Sequence, residues 1–219
     1  MHVELYGRKI DLGEHPSKMC QARWAGRYSP EPETVGWIET LSPTGVFYDI
    51  GASVGTHSIR AAVHGLSVVA FEPQSDLAEE LQETVKRNDL PIVVLPLALS
   101  NTLGRGVLGA GRSTHTFYHK VGGTVTASTV DECVVAFGCP NYIKLDVDGN
   151  EFAILRGAAE TLPLVRSLLV EIDPAIPGQD DIPSYLERFG FTYNPAQIKR
   201  DKITTGKYAG TANWIFYRP

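Results

Sequence analysis

Two carboxylates and a pair of glycines carry the first chemistry that this chain offers. Asp49 precedes Ile50-Gly51-Ala52-Ser53-Val54-Gly55, and Glu72 stands roughly 20 residues past the glycines. A G-x-x-x-G turn after an apolar run bends the backbone sharply. It also aims the first N–H groups of the following helix at a ligand. The spacing is not the G-x-G-x-x-G of dinucleotide sites. A carboxylate beside the first glycine disfavours a pyrophosphate and suits an ammonium or sulfonium charge. An acid ending the next strand can accept hydrogen bonds from both ribose hydroxyls of a nucleoside. The pattern predicts a nucleoside site tuned for a cationic tail, a description that fits S-adenosylmethionine (SAM). On that reading Gly51, Ala52, Gly55 and Thr56 make the close approach. Asp49 holds the methionine end, Glu72 with Pro73 faces the ribose, and Leu99, Ser100 and Asn101 line the adenine. An ordinary turn is the competing reading of 98–101, and a plain strand–helix turn that of 51–55.

A second group of residues suits proton transfer. Carboxylates and histidines at strand ends and helix starts can take a proton as a new bond forms, or orient an acceptor. Asp146, ending a later strand, is the first choice for base or acceptor-orienting carboxylate, and it also lies beside the cofactor. Its alternative is a loop-anchoring acid. Glu171, at another strand end, and His57, in the first turn after the glycines, are further candidates for catalytic contact. Asp148 with Glu151 matches a capping box. Lys144, inside a buried strand, requires an anionic partner, for which Glu151 and Glu171 are available. His115 and His119 stand four apart, but in a glycine-rich stretch that spacing carries no helical meaning, and no metal is expected.

These residues need elements to position them. Apolar runs predict strands at 46–50, 67–71, 91–95, 142–147 and 168–172, the third apolar enough to be buried on both faces. Helices are predicted over 56–64, closed by Gly65, and over 75–88, capped by Ser75 with Leu77, Leu81 and Val85 on one face. Others are expected at 129–137, capped by Thr129, at 149–160, and at 182–189 ahead of Gly190. Alternation of this kind indicates an α/β protein with a parallel sheet and helices on both faces, ligands binding at the carboxyl ends of the strands. Residues 191–193 and 213–217 read as a closing strand pair joined by a long turn. Before the repeat, 1–43 form a leader with a hairpin around Gly7 and a helix from about Pro30 to Leu41, packing over the mouth of the sheet. Arg27 and Tyr28 in that leader are substrate candidates. Residues 101–125 hold six glycines, which argues against a helix and for a functional loop in which short strands can occur. Its Arg112, His115, Tyr118, His119 and Lys120 are assigned to substrate.

The 219 residues suffice for one α/β domain, with 1–43 as cap and 44–219 as core. A net charge of −5 argues against broad contact with a nucleic-acid backbone. Three cysteines without a C-x-x-C pair suit a reducing compartment, and no basic-then-apolar leader or membrane-length run occurs, so a cytoplasmic location is expected. The expected partner is a small-molecule or saccharide acceptor, with no nucleic acid and no membrane; self-association is left open.

The stretches Tyr48–His57, Phe71-Glu72-Pro73, Leu97–Asn101, Ile143–Glu151 and Val170-Glu171-Ile172 resemble, in order and spacing, the FkbM family of SAM-dependent O-methyltransferases. The resemblance spans roughly 31–175, with Glu31-Pro32-Glu33-Thr34 and Trp37-Ile38 as its leading part. The block at 143–151 follows the family's I-K-x-D-x-E-G-x-E, except that Asp148 stands where Glu is usual. Asp173 stands where His often follows. The resemblance implies a class I methyltransferase, Rossmann-like fold: a seven-stranded, mostly parallel sheet with an antiparallel last strand. It also implies methylation of a hydroxyl on a sugar, glycan or secondary metabolite. Two other readings compete: an NAD(P)-dependent oxidoreductase on a doubly wound sheet, and a non-catalytic SAM-binding module.

Overall fold

A computed structural model describes residues 1–14, 16–25, 31–110, 115–206 and 208–218, with the backbone alone at 110, 115 and 201. Arg27, Tyr28 and Arg112 lie outside the described residues, as does the side chain of His115. The chain divides into two compact units, Met1–Pro96 and Leu97–Pro219.

In the first unit, β1 (His2–Leu5) and β2 (Arg8–Asp11) form the expected hairpin, turning at Tyr6 and Gly7. A short helix that the sequence did not suggest, α1 (Lys18–Trp24), follows, with Ser17 capping it through Cys20 N–H. Next comes α2 (Pro32–Thr40), then the repeat: β3 (Val46–Ile50), α3 (Thr56–His64), β4 (Ser67–Phe71), α4 (Ser75–Asn88) and β5 (Ile92–Leu95). β4 pairs in parallel with β3 on one side and β5 on the other. Phe47, Tyr48, Ile50, Val68, Val69 and Phe71 are buried, each worth roughly 1.5–3 kcal/mol in area removed from water. Gly65, at φ 117°, ends α3 as expected.

Three details depart from the sequence reading. Ser75 is the first helical residue of α4 rather than its cap; Gln74 takes the cap position without a side-chain bond. The buried stripe of α4 runs through Ala78, Leu81, Thr84 and Val85, with Leu77 half-buried. And β5 is an edge strand with Val93 exposed, not one covered on both faces. Asn88 ties α4 to the hairpin, accepting from Asp11 N–H and donating to Asp11 C=O.

The second unit opens with a four-stranded sheet of order β6-β9-β7-β8: β6 (Ala98–Leu99), β7 (Gly104–Ala110), β8 (His115–His119) and β9 (Val125–Ser128). The glycine-rich stretch is thus largely strand. Gly106 shows why glycine is needed there: a Cβ would fall 2.2 Å from the Tyr118 carbonyl oxygen across the β7–β8 ladder. Thr129 caps α5 (Val130–Phe137), accepting from Glu132 N–H. Then come β10 (Tyr142–Leu145), α6 (Glu151–Arg156), β11 (Ser167–Ile172), α7 (Ile182–Glu187), β12 (Thr192–Tyr193), α8 (Pro195–Asp201) and β13 (Ala212–Tyr217). β10 and α6 are shorter than expected, because the chain leaves the strand at Asp146 and turns through Asp148 (φ 59°) and Gly149 (φ 127°) before the helix begins. β13 runs antiparallel to β11 and β12, and the connection read as a long turn contains α8.

The seven-stranded sheet has the order β12-β13-β11-β10-β3-β4-β5, mostly parallel, with its last strand reversed. Among the described residues no helix is long and apolar enough to cross a membrane.

Candidate functional site

In the first unit the site is a bend held by an acid. Gly51 and Ala52 N–H both donate to Phe71 C=O at 3.0 Å, so the chain leaving β3 hooks over the end of β4. Gly51, Ser53 and Gly55 all take positive φ, 84°, 51° and 79°. Glu72 closes the bend: its Oε2 accepts from Ser53 N–H and its Oε1 from Gln74 N–H, each at 2.8 Å. Only 5% of Glu72 is exposed. Burial pushes its carboxyl above the usual range, the two N–H donors pull it back, and the charges of Asp49 and Asp76 push it further up. Asp49 is 0% exposed and accepts from Ser58 O–H at 2.6 Å. The charge of Asp49 is thus felt at Glu72.

Gly55 has a reason that the ligand-approach argument did not contain. A Cβ there would lie 2.1 Å from Leu81 Cδ1, so any larger residue must displace that buried side chain of α4. His57 Nε2 lies 3.2 Å from Glu31 Oε2, which also accepts from Thr34 O–H and sits 3.7 Å by its other oxygen from Arg23. Thr56 Oγ1 and His57 Nδ1 are buried without a hydrogen-bond partner among the described residues. Ser53, Ser58 and Glu31 were missed by sequence reasoning. Glu31 was read as part of a helix start and of the family resemblance, not as a site residue.

The second unit holds the later acids. Lys144 is 2% exposed and its Nζ lies 3.0 Å from Asp146 Oδ2, an ion-pair partner that the sequence reading did not name beside Glu151 and Glu171. Glu151 is 1% exposed and takes two N–H donors on Oε1, from Val147 (3.0 Å) and Gly149 (3.1 Å). This replaces the capping box: Asp148 is not the cap, Asn150 holds that position, and Glu151 clasps the turn before its own helix. Gln179 Nε2 donates to the other Glu151 oxygen. Burial raises the Glu151 carboxyl to about 7, opposed by its N–H donors and reinforced by the charge of Asp146. Glu171 is half-buried near the end of β11, opposite Asn213.

The small sheet touches this loop. Thr116 O–H donates to Asp148 C=O at 2.6 Å, and the Asn150 amide donates to Phe117 C=O at 2.7 Å. Leu99 and Ser100 are buried, while Asn101 is exposed. His119 Nε2 is 2.9 Å from Ser100 Oγ, which engages that ring nitrogen within the sheet; Tyr118 is exposed. Among the described residues no three His, Cys, Asp or Glu side chains converge as a metal site.

A profile described as the methyltransferase FkbM domain matches residues 49–193. Hexuronic acid methyltransferase AglP of Haloferax volcanii is 30% identical over 149 residues, which is 65% of this chain and 62% of that protein. This chain thus spans less than two-thirds of that relative's length. Magnesium protoporphyrin IX methyltransferase from Synechocystis PCC 6803, solved with bound SAM, superposes with TM-score 0.55 at 16% identity, covering 94% of this chain and 87% of that one. The 16S rRNA N2 G1207 methyltransferase of T. thermophilus, solved with AdoMet and guanosine, gives TM-score 0.55 at 15% identity, covering 100% of this chain and 50% of that one. At those identities the two structures bear on the fold, which is of the class I methyltransferase type. The match over 49–193 takes in the acid-flanked glycine bend and both later strand ends, and on it the chain belongs to the FkbM family of SAM-dependent methyltransferases.

Proposed function

We propose that this chain transfers a methyl group from SAM to a hydroxyl oxygen of a saccharide acceptor, of which a sugar acid is the first class to test. The observation that carries the reading is the pair Asp49 and Glu72, both buried and both at the 51–55 bend. Their mutual repulsion is relieved by a cationic guest. The residues present fit such a guest. The Glu72 oxygens, each holding one N–H, keep lone-pair capacity for ribose hydroxyls. Thr56 and His57 offer unpartnered polar atoms at the head of α3. When bound, SAM supplies a methyl group on a positively charged sulfur.

The chain's part is alignment and proton removal. Holding acceptor and donor in line contributes about 7 kcal/mol or more. Asp146, fixed by Lys144, orients the acceptor hydroxyl and takes its proton, with Glu171 and His57 as the other catalytic candidates. Leu99, Ser100 and Asn101 line the adenine, and Arg27, Tyr28, His115, Tyr118 and His119 contact the acceptor. The sugar class is taken from the Haloferax relative, which is named for hexuronic acids.

Calorimetry with S-adenosylhomocysteine is the direct test, followed by methyl transfer to methyl glucuronide. Saturable binding of the nucleoside is expected; heats no larger than dilution would remove the proposal. Saturation by NADH instead would favour an oxidoreductase.

A further inference from the structure

A buried polar chain joins two loops at the carboxyl ends of neighbouring parallel strands. Glu151 holds the turn after β10 through Val147 and Gly149 N–H. Gln179 Nε2 donates to the free side of that carboxylate, and Gln179 Oε1 accepts from Asp173 N–H at 2.6 Å, just past β11. Gln179 is 2% exposed. Its amide can take one orientation only. Turned over, its NH2 would face Asp173 N–H, donor against donor, at a side chain closed off from bulk solvent. The Asp173 amide thus dictates which end of Gln179 faces Glu151, whose oxygen on that side must be able to accept a hydrogen bond. β10 and β11 pair in parallel, and ligands of such sheets bind beyond their carboxyl ends.

We propose that Glu151 and Gln179 are positioning residues that lock the Asp146 loop to the Asp173 loop as one piece, so that Asp146 and the β11 end meet the acceptor in fixed relation. The inference rests on the transfer reaction proposed above for its consequence in catalysis, not for the lock itself. Neither residue touches the reacting atoms. A carboxylate is needed at 151 only because an amide occupies 179, so the charge can be exchanged between the two positions without loss of a hydrogen bond.

The test is that exchange. Glu151→Gln keeps its oxygen toward Val147 and Gly149 but sets NH2 against NH2 at Gln179. Amide exchange followed by NMR should quicken by about tenfold or more at Asp173, one loop away, with Val147 and Gly149 little changed. Adding Gln179→Glu restores every donor–acceptor pair and should return Asp173 to within about threefold of wild type. On methyl glucuronide, kcat should drop about tenfold in the single variant and recover in the double, with S-adenosylhomocysteine affinity unchanged in both. Unaltered Asp173 exchange in E151Q, or a double variant no better than the single, overturns the lock; so does a kcat that the double variant fails to recover. If the single variant does not fold, the double decides alone: wild-type protection supports the proposal and failure to fold ends it. A wild type that binds the nucleoside but leaves the glucuronide unmethylated counts against the acceptor class, and the exchange comparison still decides the lock.

Discussion

Glu72 serves two demands with one side chain. Its oxygens pin the bend through Ser53 and Gln74, and the same oxygens are offered to the ribose. Glu72→Gln keeps the shape but swaps one acceptor for a donor facing a backbone N–H. Such an unsatisfied contact costs about 1–3 kcal/mol, so S-adenosylhomocysteine affinity should fall roughly tenfold or more by calorimetry. The wild-type site should also lose affinity as the medium is acidified, because a protonated Glu72 donates where it must accept. Burial and the charges of Asp49 and Asp76 lift that carboxyl. The loss should therefore set in at higher pH than for an ordinary carboxylate, near 4.3, and be absent in the Gln variant. Asp146→Asn addresses the proposed base. It should leave nucleoside affinity intact and lower kcat by about a hundredfold or more; unchanged turnover would remove Asp146 from that role.

At the scale of elements, the junction of β3, α3 and α4 is where packing and function share a residue. Gly55→Ala places a methyl 2.1 Å from Leu81 Cδ1 on a backbone at φ 79°. Overpacking and a strained left-handed residue each cost about 1–3 kcal/mol. Leu81→Ala alone should also destabilise, by a cavity of about 2–5 kcal/mol. Together the two changes should cost less than their sum, since the second vacates the space that the first fills; strict additivity in urea melts would mean that the contact is not what excludes Ala. This junction was legible in the sequence because its signals are local. An apolar run, positive-φ glycines and a helix-ending Gly65 fix β3 and α3 without reference to distant residues. The small sheet was not legible. Its glycines answer to a strand across the ladder, and β6 pairs with β9, which lies beyond the intervening hairpin. The stripe of α4 was read correctly at Leu81 and Val85; at its first turn Ala78 is buried and Leu77 only half so. Gln179 carried no signal at all: a buried glutamine in a turn of Gly, Asp and Pro has no periodicity to mark it. Lys144 announced that it needed an anion, but which one depended on where the chain leaves β10.

For the whole molecule, its buried acids set the direction in which stability moves with pH. Glu151 titrates near 4.5 when unfolded and at about 7 when folded. Between those values the folded chain keeps a proton that the unfolded chain has lost, so the native state binds more protons and stability falls as pH rises. The change, about 3 kcal/mol in order of magnitude, is complete once pH passes the folded value. Glu72, also raised, acts in the same sense. Asp11, held down by the Gly13 N–H, and Glu83, held down by Lys86, act oppositely, but both lie at the surface, where solvent weakens the effect, and their window lies below that of Glu151. The net charge of −5 at pH 7 adds self-repulsion that also grows with pH. Thermal unfolding should therefore give a midpoint that declines from about pH 5.5 to about pH 7.5 and then levels, the reverse of a protein stabilised by ionised surface pairs. Saturating S-adenosylhomocysteine should flatten the part of that slope due to Glu72, since a ligand that needs the ionised form binds best where the free protein is weakest. The part due to Glu151 should persist, because Gln179 and the turn amides hold that carboxyl whether or not the nucleoside is bound. A midpoint that climbs across the same interval would mean that Glu151 is ionised with an ordinary affinity for its proton, and the dry environment assigned to it would be wrong.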